Sequence, residues 1–163
     1  MNDLILFEFN SNSDLSNWQV VNDGVMGGKS KSQFYLNDKG EGLFEGKISL
    51  ENNGGFCSVR FVCDPISIPD STFFSIRLKG DGKQYQFRVK SKKNDAQSYV
   101  YPFQTSGEWE TIKIPVEALY PAFRGQKLTM PNYNGARLEE IAFLIGNNEA
   151  ESFKLLIGTI EVQ

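Results

Sequence analysis

Apolar and polar residues alternate with a period of two along almost the whole of this chain, a pattern that builds strands and leaves no room for long helices. Candidate strands run Leu4 to Phe9, Trp18 to Val21, Lys31 to Asn37, Gly42 to Leu50, Phe56 to Val62, Phe73 to Lys79, Gln84 to Ser91, Ser98 to Gln104, Glu108 to Ile114, Ile141 to Ile145 and Ser152 to Val162. Only Pro115 to Tyr120 has helical character. Turn signals separate the runs: Asn52-Asn-Gly-Gly55, Asp64-Pro65, Lys79-Gly-Asp-Gly-Lys83 and Gly146-Asn-Asn148. Strands recurring at intervals of about ten residues without helical crossovers specify an all-β fold, an antiparallel β-sandwich or jelly roll.

The same period assigns faces. Phe74, Ile76 and Leu78 share one side of their strand, as do Tyr85, Phe87 and Val89 of the next, and these six are expected in the core. The Gly80-Asp-Gly82 step between them reads as a tight hairpin. Trp18 and Trp109 each precede an apolar alternating run and read as core residues.

At 163 residues the chain fits one domain, residues 1–163, able to bury about 70 % of the surface its unfolded form exposes. Thirteen Phe, six Tyr and two Trp supply the flat anchors that fill sandwich cores or line protein-binding and carbohydrate-binding faces. A formal charge of −3 with no basic stripe argues against nucleic acid as a partner. No segment approaches the roughly 18 apolar residues of a membrane span, and the start, Met-Asn-Asp-Leu-Ile-Leu, lacks the pattern of a secretory signal. Cys57 and Cys63 would stand about 20 Å apart on one strand face, beyond disulfide reach. Reduced thiols and a cytoplasmic location are the expectation.

Histidine is absent, which removes nucleophile–histidine triads and histidine metal sites, and two cysteines cannot form a thiolate cage. A carboxylate pair or a lysine-activated serine is the remaining catalytic device, but the acidic residues single out no pair: Asp64, Asp70, Asp81 and Asp95 fall in turns and Glu139-Glu140 stands ahead of a strand, where solvated charges are ordinary. Oxygen ligands at Asn22-Asp23-Gly24 could hold calcium, yet no calcium-loop pattern surrounds them. The expectation is a protein that is not an enzyme, with no catalytic residues, no metal site and no cofactor.

Two loops and one sheet face are the candidate sites. The stretch Trp18 to Ser30 carries Asp23, Gly24, Met26, Gly27, Gly28 and Ser30 in a glycine-dense turn that Asp23 and Ser30 are placed to cap. Gly28-Lys29-Ser30 looks like the end of a phosphate loop, but Asp23 occupies the position of that pattern's first glycine and a strand follows in place of a helix. Pro121 to Arg137, the longest irregular piece, contributes Phe123, Arg124 and Gly125. Both loops are expected at one end of the sandwich. Arg60, Arg77 and Arg88 occupy outward positions and are expected to share a polar sheet face with Gln86, Tyr99 and Tyr101. The plain reading is a solvated outer face with snorkelling side chains; the functional reading is a face receiving a carboxylate, a sugar or a partner's acidic loop.

The order of segments resembles the complex I intermediate-associated protein 30 family, whose mitochondrial members assist assembly of NADH:ubiquinone oxidoreductase. The resemblance rests on Trp18 with Asp23-Gly-Val-Met-Gly-Gly-Lys-Ser30, Phe44-Glu-Gly-Lys-Ile48, Gly54-Gly-Phe-Cys-Ser-Val-Arg60, Arg77-Leu-Lys-Gly-Asp-Gly82, Pro121-Ala-Phe-Arg-Gly125 and the strands Ile141 to Gly146 and Phe153 to Ile160. It implies a jelly roll of the galactose-binding-domain-like type and a role in assembling or holding protein complexes. The chain lacks the targeting extension of mitochondrial members and so resembles a compact bacterial-type member, whose partner need not be complex I. The leading expectation is a binding or assembly protein whose partner is a subunit or intermediate of a respiratory or redox complex. A carbohydrate-binding module is the alternative.

Overall fold

The computed structural model describes residues 4–68 and 72–163, and among them thirteen strands form two antiparallel sheets. Strands β1 (Leu4–Glu8), β3 (Lys31–Leu36), β4 (Gly42–Lys47), β6 (Phe73–Lys79), β9 (Trp109–Pro115) and β13 (Ser152–Val162) form a six-stranded sheet. Strands β2 (Trp18–Asn22), β5 (Cys57–Ile66), β7 (Gln84–Lys90), β8 (Ser98–Gln104), β10 (Tyr120–Phe123), β11 (Gln126–Lys127) and β12 (Leu138–Ile145) form a seven-stranded sheet in the order β11-β10-β8-β7-β12-β5-β2. The long β13 lies beside β6 on one edge and on the other beside β4 and then β1, so one strand organises most of its sheet. This is the expected all-β sandwich. The helical expectation at 115–120 corresponds to one short turn, Val116–Ala118. Asp70 lies outside the described residues.

The six residues assigned to the core from alternation are all buried. Their connection differs from the expected hairpin. β6 and β7 do not pair; they belong to different sheets, and residues 80–83 carry the chain across the sandwich. The reason is local. A Cβ at Gly80 would overlap Thr105, and Gly82 has φ +83°. Asp81 fixes the crossing by accepting from the buried Tyr85 hydroxyl (2.9 Å) and from the Lys154 amide of the opposite sheet (2.8 Å). β6 and β7 therefore meet face to face, with Phe74 and Phe87 ring centroids 5.0 Å apart and Phe143 5.5 Å beyond.

A second aromatic group closes the side where the edge strands β2 and β3 stand. Phe7, Phe9, Trp18, Phe34 and Phe61 interlock with centroids 4.6 to 5.7 Å apart. Trp18 is thus a core residue, as expected. Trp109 is not: it is half-buried on the outside of the six-stranded sheet, with the Arg77 guanidinium 5.7 Å from its ring centre. Cys57 and Cys63 are free thiols, and burial pushes Cys57 up to about 11. No helix of the described residues is long and apolar enough to cross a membrane.

Because Phe87 joins the two layers, Phe87→Ala is expected to lower the unfolding free energy by about 3–5 kcal/mol, measured by chemical denaturation.

Candidate functional site

The glycine-dense loop is organised around one buried carboxylate. Asp23, 1 % exposed, accepts from the Ser30 amide (2.9 Å) and hydroxyl, and from the amides of Gly55 (2.7 Å) and Phe56 (3.3 Å). Those donors tie residues 23–30 to the 54–56 turn. Burial would raise the pKa of Asp23, but the bonds from Ser30, Gly55 and Phe56 outweigh it and hold the carboxyl below the usual aspartate value. Two glycines exist to admit that group: a Cβ at Gly28 would overlap the Asp23 side chain, and one at Gly54 would sit 2.5 Å from its Oδ2. Gly27 takes φ +89° at the end of the single turn Asp23–Met26, and Gly24 is exposed. The side chain of Met26 lies outside the described residues. The loop's polar atoms are thus spent on one another, and its outer wall is a cleft of about 570 Å³ bordered by Lys29, Lys31, Lys47 and Leu50.

The second loop is more regular than its sequence indicates. Tyr120–Phe123 and Gln126–Lys127 pair as a hairpin whose central residues, Arg124 (φ +51°) and Gly125 (φ +79°), both adopt the left-handed region, as in a type I′ turn. Phe123 is exposed beneath the Arg124 guanidinium. The remainder is anchored by Tyr133, buried against Tyr99, with its hydroxyl donating to the Arg137 carbonyl at 2.7 Å. The two loops do not share an end. Strand register places Asn22 beside Cys57 and Ile145 at one end of the seven-stranded sheet, and Ala122 beside Ser98 at the other.

The expected arginine face is partly reassembled. Arg60 and Arg88 flank Ala142 in one row of the seven-stranded sheet, each directly opposite it across adjacent strands, and Gln86 lies on the same outward side. Arg77 belongs to the outside of the other sheet. Tyr99 and Tyr101 pair with Val89 and Phe87 and so point inward, where both pack on the core. Alternation assigned them outward because it offers no register between strands; Val100 and Pro102 hold the outward positions.

One residue read as solvated belongs to this face. β12 begins at Leu138, and Glu140, opposite Val62 and Lys90, faces outward yet is only 6 % exposed. Its Oε1 lies 3.8 Å from Arg60, without a hydrogen bond, and the Arg60 Nε is likewise buried and unpartnered. Burial pushes the Glu140 carboxyl up, against the pull of Lys90 and Arg60. Glu139, on the inward parity of the same strand start, is by contrast satisfied by the Lys93 amide and Arg137. Arg88 is half-buried and hydrogen-bonds only Gln86 Oε1 (3.0 Å) among the described residues. Burial pulls its guanidinium below the usual arginine value. Lys90 donates to the Asp95 carbonyl. The face therefore presents four cations, Arg60, Arg88, Lys90 and Lys127, against the Glu140 carboxylate, over a floor of Ala142 (7 % exposed) and Val100 (1 % exposed). Tyr120 is the one aromatic residue on its paired outward positions, and Lys127 lies 5.3 Å from its ring centre. Among the described residues, no three His, Cys, Asp or Glu side chains converge as a metal site.

The sequence matches the family model of complex I intermediate-associated protein 30 across residues 7–157. The chain belongs to that family. Solved structures share the sandwich. The family 11 carbohydrate-binding module of cellulosomal cellulase Lic26A-Cel5E from Clostridium thermocellum superposes with a TM-score of 0.71 at 18 % identity, over 99 % of this chain and 94 % of that one. The same type of module in complex with a β-1,3-1,4-mixed-linked tetrasaccharide gives 0.69 at 17 % identity, over 98 % and 94 %. An agarase, AgWH50C, gives 0.65 at 12 % identity, over all of this chain and 24 % of that one. At these identities the likeness is one of fold.

The two buried carboxylates lead to opposite expectations. Asp23→Ala leaves the Ser30, Gly55 and Phe56 amides without their acceptor and is expected to cost on the order of 3 kcal/mol. Since the folded pKa of Asp23 is depressed, its contribution is present above pH 4 or so and lost as pH falls further, so Asp23→Asn should flatten acid unfolding below about pH 4. The folded pKa of Glu140 is raised, so its charge lowers stability as pH rises past the ordinary glutamate value. Glu140→Gln should therefore melt at the same or a higher temperature at pH 7, measured by calorimetry.

Proposed function

We propose that this protein is a non-catalytic binding protein that holds a protein partner, a subunit or assembly intermediate of a respiratory or redox complex, on the outer face of its seven-stranded sheet. The observation that carries this reading is the pair of buried polar atoms, Glu140 Oε1 and Arg60 Nε, left without partners among the described residues beside a half-buried Arg88 that no described carboxylate pairs. A buried donor and acceptor lacking bonds cost free energy in the isolated molecule, and a docked segment that opens the Arg60–Glu140 contact and supplies both would recover it. Membership of a family named for a complex I intermediate supports the choice of partner class. The two loops proposed at the outset contribute unequally. The Phe123–Arg124–Gly125 turn borders this face at its β10–β11 edge, whereas Asp23, Gly27, Gly28 and Ser30 serve the fold that holds the face in place.

Sugar binding is the weaker use of the same surface. The neighbouring structures bear carbohydrate-binding titles, but a sugar ring needs an open aromatic platform, and here Tyr120 already carries Lys127 over its ring. In-cell photocrosslinking distinguishes the readings. Benzoylphenylalanine placed at Val21 or Pro102, on the proposed face, is expected to capture one reproducible protein, and the same probe at Tyr35 on the opposite outer face is expected to capture none. Ala142→Trp, which fills the floor of the face, should reduce capture at least tenfold while leaving the melting temperature within a few degrees. Equal capture from Tyr35, or no adduct from either outer-face position, would overturn the reading.

A further inference from the structure

The outer face of the seven-stranded sheet carries a charge imbalance as well as two unpartnered atoms. Arg60 and Arg88 stand two strand spacings apart, about 10 Å between backbones, with Ala142 as the small residue between them. A larger side chain at 142 would fill the gap; alanine leaves a notch bounded by two guanidinium groups. Among the described residues no carboxylate pairs with Arg88. Glu140, at the next outward position along β12, answers Arg60 only at 3.8 Å, while Lys90 is held by a main-chain carbonyl. A half-buried guanidinium without an anion is unfavourable in the isolated chain, whose overall charge is −3. Planar, forked donors on either side of a shallow notch match the two oxygens of a carboxylate.

We infer that the partner presents an acidic side chain to this notch, its carboxylate lodged over Ala142 between Arg88 and Arg60. The main chain of the same segment supplies the remaining bonds. As Arg60 swings off Glu140, the segment's N–H donates to Glu140 Oε1 and its C=O accepts from Arg60 Nε, two atoms that are shut from solvent and without partners in the isolated chain. This assignment rests on the protein-binding reading and deepens it. It also gives each outward residue a separate role: Arg88 reads charge, Arg60 and Glu140 read the peptide unit, and Ala142 sets the depth. An uncharged sugar could satisfy the second pair but would leave Arg88 without its anion, which is the ground for preferring an acidic peptide.

The test uses the full chain and two probes, acetyl-Gly-Gly-Glu-Gly-Gly-amide and its Gln counterpart, followed through the arginine Nε–H signals by nitrogen-15 NMR. Arg88→Gln identifies the Arg88 signal by its loss. The Glu peptide is expected to shift the Arg88 and Arg60 signals saturably, with affinity at least about tenfold above that of the Gln peptide, since hydrogen bonds to a charged partner differ by that much. Arg88→Gln should abolish the preference while leaving the melting temperature unchanged or higher, and Arg88→Lys, which keeps the charge and loses the fork, should fall between. Equal binding of the two peptides would overturn the inference. So would shifts, read on the backbone amide signals of the same samples, that are confined to the Lys29, Lys31 and Lys47 cleft, or saturable binding of digalacturonate without binding of the Glu peptide, which would assign the notch to an acidic sugar. Failure of this inference is separable from failure of the binding reading. If Arg88→Gln leaves crosslinking from Val21 and Pro102 intact, the carboxylate falls and the face stands; if Ala142→Trp leaves it intact, the face itself is not the site.

Discussion

The contact between Phe74 and Phe87, centroids 5.0 Å apart across the sandwich, is the interaction on which the remaining architecture depends. It joins two strands that follow one another in sequence but belong to different sheets, so the chain must cross between layers at residues 80–83. Large aromatic side chains at that crossing bury more apolar surface than any other residue type could, and they set the separation of the sheets. Once the inner faces are committed in this way, every alternate residue of β7, β12 and β5 has to point outward. The outer row of Arg60, Ala142 and Arg88 is a consequence of the packing of Phe87, Phe143 and Val59 beneath it.

Three carboxylates of the molecule differ in how far their oxygens are matched. Asp23 and Asp81 are matched by donors from distant segments, and each ties a loop to the body of the sandwich. Their bonds are charge-assisted, and those of Asp23 are also sheltered from water, which makes them strong determinants of loop shape. Glu140 is also buried but has an oxygen without a hydrogen-bond partner among the described residues. Such a group costs the isolated molecule stability.

The fold is shared with carbohydrate-binding modules over nearly the full length of both chains, at identities of 17–18 %. A sandwich held by inner-face aromatics imposes few demands on its outer positions, so one scaffold can present unrelated surfaces. Here that surface combines paired arginines with small floor residues and a single covered tyrosine.

Alternation alone determined the fold class, ten of the strands to within a few residues, and the inward placement of Phe74, Ile76, Leu78, Tyr85, Phe87 and Val89. The spacing of Asp23 and Ser30 was enough to anticipate a capped loop, because those hydrogen bonds join residues close in sequence. Which strands are neighbours, and in what register, was decided only in three dimensions. That is why Arg77 parted from Arg88, why Tyr99 and Tyr101 turned inward, and why Glu140 left the solvent. Period two tells each strand that it has two sides, but the hydrogen bonds and core contacts between strands distant in the chain choose which side is which and what stands next to it.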